Sequence, residues 1–202
     1  MSERSTYDRL LAAALAEFDA TGYEATTVAK ICRRANVSNG SFFHAFPSKA
    51  AVAGAVFLSA LETYHAALIE AVSPCTTAAD GITALVTAHI HWVMNNRLYA
   101  RFMFVHAPSA TGDDIRSKQE ALNMSLRAGL AAWYEPLMQE GTLRTLPPEV
   151  LVCQIIGPAQ MFCRAWLSGR KRAKPDAHLP QLITCAIGAV VAGGQDHERR
   201  RH

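Results

Sequence analysis

The sequence predicts an all-α protein, on three observations. Apolar residues recur at helical spacing along nearly the whole chain, and no run of alternating apolar and polar residues reads as a set of strands. Half of the 202 residues are apolar and 18% are charged, which is enough apolar surface to build a core and excludes a disordered chain. Near the N-terminus, three short helical patterns follow one another, with a tight turn between the second and third. The length allows one domain of about 200 residues or a small module joined to a larger one.

The first pattern, Tyr7, Leu10, Leu11, Ala14, Leu15 and Phe18, predicts a helix over about residues 6–21. Ser5 with Asp8 three residues on is a capping signal, and Gly22 a left-handed stop. The second, Val28, Ile31, Cys32 and Ala35, has Thr26 or Thr27 as its N-cap and stops at Asn36-Val37. Asn is well suited to the left-handed turn that follows. Ser38 caps a third helix to about Ala45, and Ser48 a fourth to about Val72. Three helices with a tight turn between the last two form a helix-turn-helix pattern. Long helices follow over about residues 79–95, 97–106, 112–140, 148–168 and 178–193, with a kink expected at Gly157-Pro158. The expected division is a helix-turn-helix domain over 1–48, helix 4 (about 48–72) as connector, and a second domain over 73–202.

Charge distribution says more than the net charge of +3. From Ala25 to Leu61 there is no Asp or Glu, and the window holds Lys30, Arg33, Arg34, Lys49 and His44. An acid-free basic window centred on a helix-turn-helix is the footprint of a protein that grips DNA phosphates. A solvated helix face with a chance skew produces the same count, so charge alone does not decide. Two further basic segments, Arg170 to Lys174 and Arg199 to Arg201, read as a solvated loop and a tail.

The order of residues does more. Gly22-Tyr23, Thr26-Thr27-Val28, Ile31, Asn36-Val37-Ser38, Phe42-Phe43-His44-Ala45-Phe46 and Ser48-Lys49 together resemble the N-terminal domain of the TetR family of bacterial repressors. The resemblance covers about residues 5–55. It implies an all-α homodimer whose N-terminal modules bind a palindromic double-stranded DNA operator. It also implies a C-terminal helical ligand-binding and dimerisation domain, released from DNA by a small-molecule effector. Physical roles follow for the DNA-facing positions. Thr27 opens helix 2 and Lys49 helix 4, where a hydroxyl, an ammonium and helix N-termini can meet phosphates. Asn39, Gly40 and Ser41 begin the recognition helix, whose first residues reach base edges. Asn39 suits adenine, and Gly40 permits close approach. Phe42 and Phe46 are expected in the core. Phe43 and Ala45 stand where the family usually has Tyr and His, both phosphate contacts, and His44 is the candidate replacement. Asn36, Cys32 and Ala51 depart more mildly from the usual Gly, Ala and Glu.

In the second domain, candidate ligand-binding residues are His89, Trp92, Phe102, His106, Met124, Trp133 and Met161, although each also suits a plain core position. The scarcity of acids around them favours an apolar effector over a cationic one. The last two long helices are apolar over more than one face. Ile155, Phe162, Trp166, Leu182, Ile183, Ile187 and Val190 are therefore expected at a dimer interface.

Several chemistries find no support. No phosphate-binding loop, nucleophile elbow or zinc-protease motif occurs, and no Ser/His/Asp or paired-carboxylate constellation, so no enzyme activity and no cofactor are expected. His89 and His91 point about 200° apart on a helix, so no metal site is expected. The five scattered cysteines read as reduced core thiols. Met1-Ser2-Glu3-Arg4 runs straight into an amphipathic pattern, and the charge-free Leu179 to Gly194 is short and broken by Pro180, so a cytoplasmic protein with no membrane partner is expected. An activator or DNA-organising protein of the same fold remains an alternative to a repressor, and an enzyme using the C-terminal pocket a remote one.

Overall fold

The computed structural model describes residues 5–106 and 113–192. Among them the elements run α1 (Thr6–Thr21), α2 (Val28–Ala35), α3 (Asn39–Ala45), α4 (Lys49–Val72), α5 (Ala78–Asn95), α6 (Arg97–Arg101), α7 (Asp113–Gln139), α8 (Pro148–Leu167) and α9 (Leu179–Val190). A single π-helical turn over Phe102–His106 prolongs α6, and a short 3₁₀ turn over Pro175–His178 precedes α9. The protein is all-α, as the periodicity predicts. Its one β-bridge among the described residues, Leu143 with Val191, ties the α7–α8 loop to the end of α9.

Capping chemistry sets most boundaries. Ser5 Oγ accepts from the Asp8 amide at 3.1 Å, and Thr77 repeats the arrangement with the Asp80 amide. Thr27, rather than Thr26, caps α2. Thr26 is buried and donates its hydroxyl to the Gly22 carbonyl at 2.7 Å. Asn36 takes the left-handed conformation (φ 53°, ψ 54°) that closes α2. Ser38 accepts from the Ser41 amide to open α3, and Ser48 from the Ala51 amide to open α4. Pro158 lies inside α8, as expected, and the helix runs continuously through it.

The chain divides into two compact units, but not at the expected borders. The first comprises residues 1–63 and 96–122, the second 64–95 and 123–202. The division falls inside α4, and α6 with its π turn joins the first unit, where α1 packs against it. Phe102 accounts for this membership. Its ring stacks on Phe18 at 5.4 Å and sits in a core with Leu10, Ile31, Phe42, Val52 and Val56. The expectation that Phe102 lines a ligand pocket is therefore corrected. Fully burying each large side chain of this cluster contributes roughly 1.5–3 kcal/mol.

In the second unit α5, α8 and α9 pack mutually. Gly81 lets α7 approach α5: a Cβ there would lie 2.2–2.3 Å from Trp133 indole atoms. Gly129 plays the same part under Ile69. The basic run Arg170 to Lys174 is an exposed loop, as expected, while Arg199 to Arg201 lie outside the described residues. Two of the five cysteines, Cys153 and Cys185, are exposed, which corrects the reading of all five as core thiols. By length and composition α4 and α8 could each cross a membrane, with half of the α4 window and a third of the α8 window buried in the fold. A search for uncharged stretches passes over both.

Gly81→Ala should therefore overpack the α5–α7 contact. The expected loss is about 1–3 kcal/mol of unfolding free energy, measured by urea denaturation.

Candidate nucleic-acid interface and ligand cavity

Helix α3 is short, and its sides are sharply divided. Phe42 is fully buried and Phe46 nearly so, which seats the helix on α1. Asn39, Gly40, Phe43 and His44 all face outward. Ser41 is half-buried, and its hydroxyl lies 2.9 Å from that of the capping Ser38. The structure thus presents Asn39, Gly40, Phe43 and His44 together, with Ser41 partly committed to the cap. Thr27 is exposed at the start of α2, its hydroxyl accepting from the Lys30 amide at 3.3 Å.

Gly40 carries a specific message. A Cβ there would meet only Ser38 Oγ, at an ordinary 3.7 Å. Nothing inside the fold demands a glycine, although glycine inside a helix costs up to about 1 kcal/mol relative to alanine. Any need for it lies outside the protein surface.

The basic window is distributed differently from its expected role. Lys49 donates to the carbonyls of Tyr23 (2.9 Å), Thr26 (3.0 Å) and Glu24 (3.4 Å), with its ammonium 4.3 Å from the Tyr23 ring centroid. An ammonium has three donors. All are spent on the α1–α2 loop, so the expected direct phosphate contact from Lys49 is corrected to an internal brace. Arg34 Nε donates to Glu17 at 2.6 Å, tying α2 to α1. Lys30 reaches the Ala25 carbonyl at 2.9 Å. Arg9, outside the window, donates to the carbonyls of Ala35 and Asn36 at the turn before α3. Arg33 is the arginine of the window that stays exposed without a described ion pair.

Sequence reasoning also missed two residues. Thr6 and Tyr7 line an open groove of about 570 Å³ with Gly40, Ser41, His44 and Ala45. Tyr7 is half-exposed and its ring lies 4.8 Å from that of Phe46. Its spacing marks it as a core residue of α1, and only the placement of α3 beside it brings it to the groove.

The second unit holds a cavity lined by Leu68, Leu85, Leu130, Trp133, Tyr134, Leu151, Val152, Ile155 and Ile156. Its free volume is about 10 Å³, room for one water-sized body, so a larger guest must push side chains apart. Of the candidate ligand residues only Trp133 lines it. Met124 and Met161 are 61% and 76% exposed and do not line it. His106 has its side chain outside the described residues. His89 and Trp92 belong to a separate buried cluster: Tyr64 Oη and His89 Nδ1 share a 2.8 Å hydrogen bond, and the Tyr64 ring lies 5.0 Å from Trp92. Burial lowers the His89 pKa to about 4 and raises that of the Tyr64 phenol, so at neutral pH both groups are uncharged. Burial likewise pushes the Cys163 thiol up to about 12. No group of three or more metal-ligating side chains is found among the described residues.

The expected dimer residues also divide. Ile155 and Val190 are buried within the chain, which corrects their assignment to a subunit face. Phe162, Trp166, Leu182, Ile183 and Ile187 stay partly exposed, and Phe162 packs on His178 at 5.1 Å. Val150, Cys153, Pro158 and Met161 on α8 and Cys185 on α9 add exposed area that the sequence reading omitted.

Residues 10–56 match the model of the bacterial regulatory proteins, tetR family. The N-terminal module belongs to the tetR family. The fold of the whole chain agrees. A tetR-family regulatory protein from Rhodococcus superposes with a TM-score of 0.79 at 21% identity, covering 95% of this chain and all of that one. The fatty acid degradation regulator FadR of Bacillus halodurans gives 0.77 at 17% identity, over 93% and 97% of the two chains. FadR of Bacillus subtilis, solved in complex with stearoyl-CoA, gives 0.76 at 16% identity, over 90% and 97%. No protein of curated function matches the sequence. The tetR-family module is a DNA-binding helix-turn-helix, and here it comprises α1, α2, α3 and the first turns of α4.

Two outcomes follow. Lys49→Met should cost about 1–3 kcal/mol of stability, because it strands loop carbonyls that a charged donor now satisfies; urea denaturation checks this. For His89, the unfolded chain takes up a proton near pH 6.5 and the folded chain only near 4. The stability contribution is therefore complete above pH 6.5 and drains as pH falls towards 4, by up to about 1.4 kcal/mol per unit. Denaturation curves over that window should flatten in His89→Asn.

Proposed function

We propose that the chain is a transcriptional repressor that binds a palindromic operator as a homodimer in the cytoplasm and is released by an apolar small-molecule effector. The observation that carries the DNA-facing half is Gly40. A helix-weakening residue that no internal contact requires sits at the start of the recognition helix, beside an exposed Asn39. Its use is close approach of α3 to a major groove, with Asn39 on an adenine edge. Thr27, Arg33, Tyr7 and His44 then supply phosphate contacts from the helix ends around it.

The effector half rests on the cavity lining, which is hydrocarbon and aromatic. An acyl chain is a guest such a lining accepts, and an acyl-CoA is the ligand held by the Bacillus subtilis FadR neighbour. Helix α4 carries Lys49 at its first residue and Leu68 in its sixth turn, and one unbroken helix is the proposed route from occupancy to DNA affinity. The half-exposed apolar strips of α8 and α9 are the proposed dimer face.

A gel-shift on intergenic palindromes near the coding gene, with and without long-chain acyl-CoA, tests this. Salt-sensitive, sequence-specific binding is expected, and no such binding at any of them overturns the DNA reading. Gly40→Ala should leave stability unchanged or raise it by up to about 1 kcal/mol while lowering operator affinity roughly tenfold or more. Asn39→Ala should relax sequence preference. Arg33→Ala should weaken all duplexes alike and flatten the salt dependence.

A further inference from the structure

Phe43 is the most exposed aromatic residue described, at 57%. A lone exposed apolar side chain means little, but the position of this one is specific. It stands four residues after Asn39 on α3, so the two side chains are neighbours along one line of the helix surface. Its ring meets buried Phe42 edge-on at 5.3 Å, which fixes where it projects. It has no hydroxyl and so cannot donate to a phosphate, the role implied for the Tyr usual at this place. The base edges of the major groove are almost wholly polar, and the one apolar group they present is the thymine 5-methyl.

We propose that Phe43 reads a thymine, its ring covering the 5-methyl group of a base next to the adenine paired by Asn39. This rests on the reading of α3 as the recognition helix. The ring gains burial that it lacks in the free protein, and the methyl leaves water. Specificity therefore comes from a contact that is apolar and insensitive to salt.

The test begins with the full-length protein and a pool of random duplexes, from which the bound operator is selected. If wild type selects no sequence, the recognition-helix reading itself has failed. Given an operator, each thymine is replaced singly by deoxyuridine, which removes only the methyl. One thymine per half-site is expected to lose about fourfold in affinity on replacement, the worth of one buried methyl-sized group. Phe43→Tyr should keep that response and Phe43→Ala should abolish it. Both should keep the discrimination made by Asn39, which also certifies that each variant folds. The proposal is overturned if no thymine responds, or if the response persists in Phe43→Ala. It is equally overturned if Phe43→Ala weakens every duplex alike and lowers the salt slope, which would mark a backbone contact.

Discussion

A helix as short as α3 cannot hold itself together in water, because isolated helices below about 12–15 residues are marginal even with ideal composition. The DNA-reading surface therefore exists only through Phe42 and Phe46, whose burial fixes α3 on α1. The rest of the first unit serves that attachment. Arg9 clasps the carbonyls at the α2–α3 turn, Arg34 reaches back to Glu17, and Lys49 gathers the carbonyls of the α1–α2 loop. These three cations act inside the module, and Arg9 and Lys49 do so at points where backbone acceptors would otherwise be stranded.

That accounting changes what a basic window means. A regional excess of Lys and Arg reads naturally as a phosphate grip, since charges are countable and their partners are not. Here a carboxylate seventeen positions upstream and a set of loop carbonyls claim three of the four cations, Arg34, Lys30 and Lys49. The outward face of α3 carries no Lys or Arg: it presents an amide, a glycine, a phenyl ring and an imidazole. On the proposed DNA reading, such a face would draw less on counterion release and more on shape and base-edge contacts than a cationic recognition helix.

The helices were legible because their signals are local. Ser5, Thr27, Ser38 and Ser48 cap where a cap was expected, and Asn36 turns left where a left-handed residue was needed. The outward positions of α3 follow from the same short-range spacing. What failed was the sorting of apolar residues among core, cavity and subunit face. Phe102, Ile155 and Val190 went to the core, and Met124 and Met161 to the surface. All five are apolar at helical spacing, and spacing says which residues share a face but not which neighbour covers it. The two-unit division was hidden for the same reason, since residues 96–122 join the first unit through packing partners such as Phe18 that lie far away in sequence.

The cavity and the His89 cluster divide the second unit into a part that yields and a part that does not. Beside the Trp92 ring, Tyr64 Oη and His89 Nδ1 are buried in hydrogen-bonding reach of each other, and opening the cluster strands them. Around the cavity, the contacts are mainly dispersive and non-directional, so side chains can re-form them on a guest of similar chemistry. A pocket of about 10 Å³ that must open still exacts the packing it disrupts. On the proposed effector reading, a guest that restores comparable apolar contact offsets that cost, and a small polar molecule does not. The same closure means that the empty and occupied states cannot have the same packing. A bound ligand and a shifted arrangement of α4, α5, α7 and α8 are then one event rather than two.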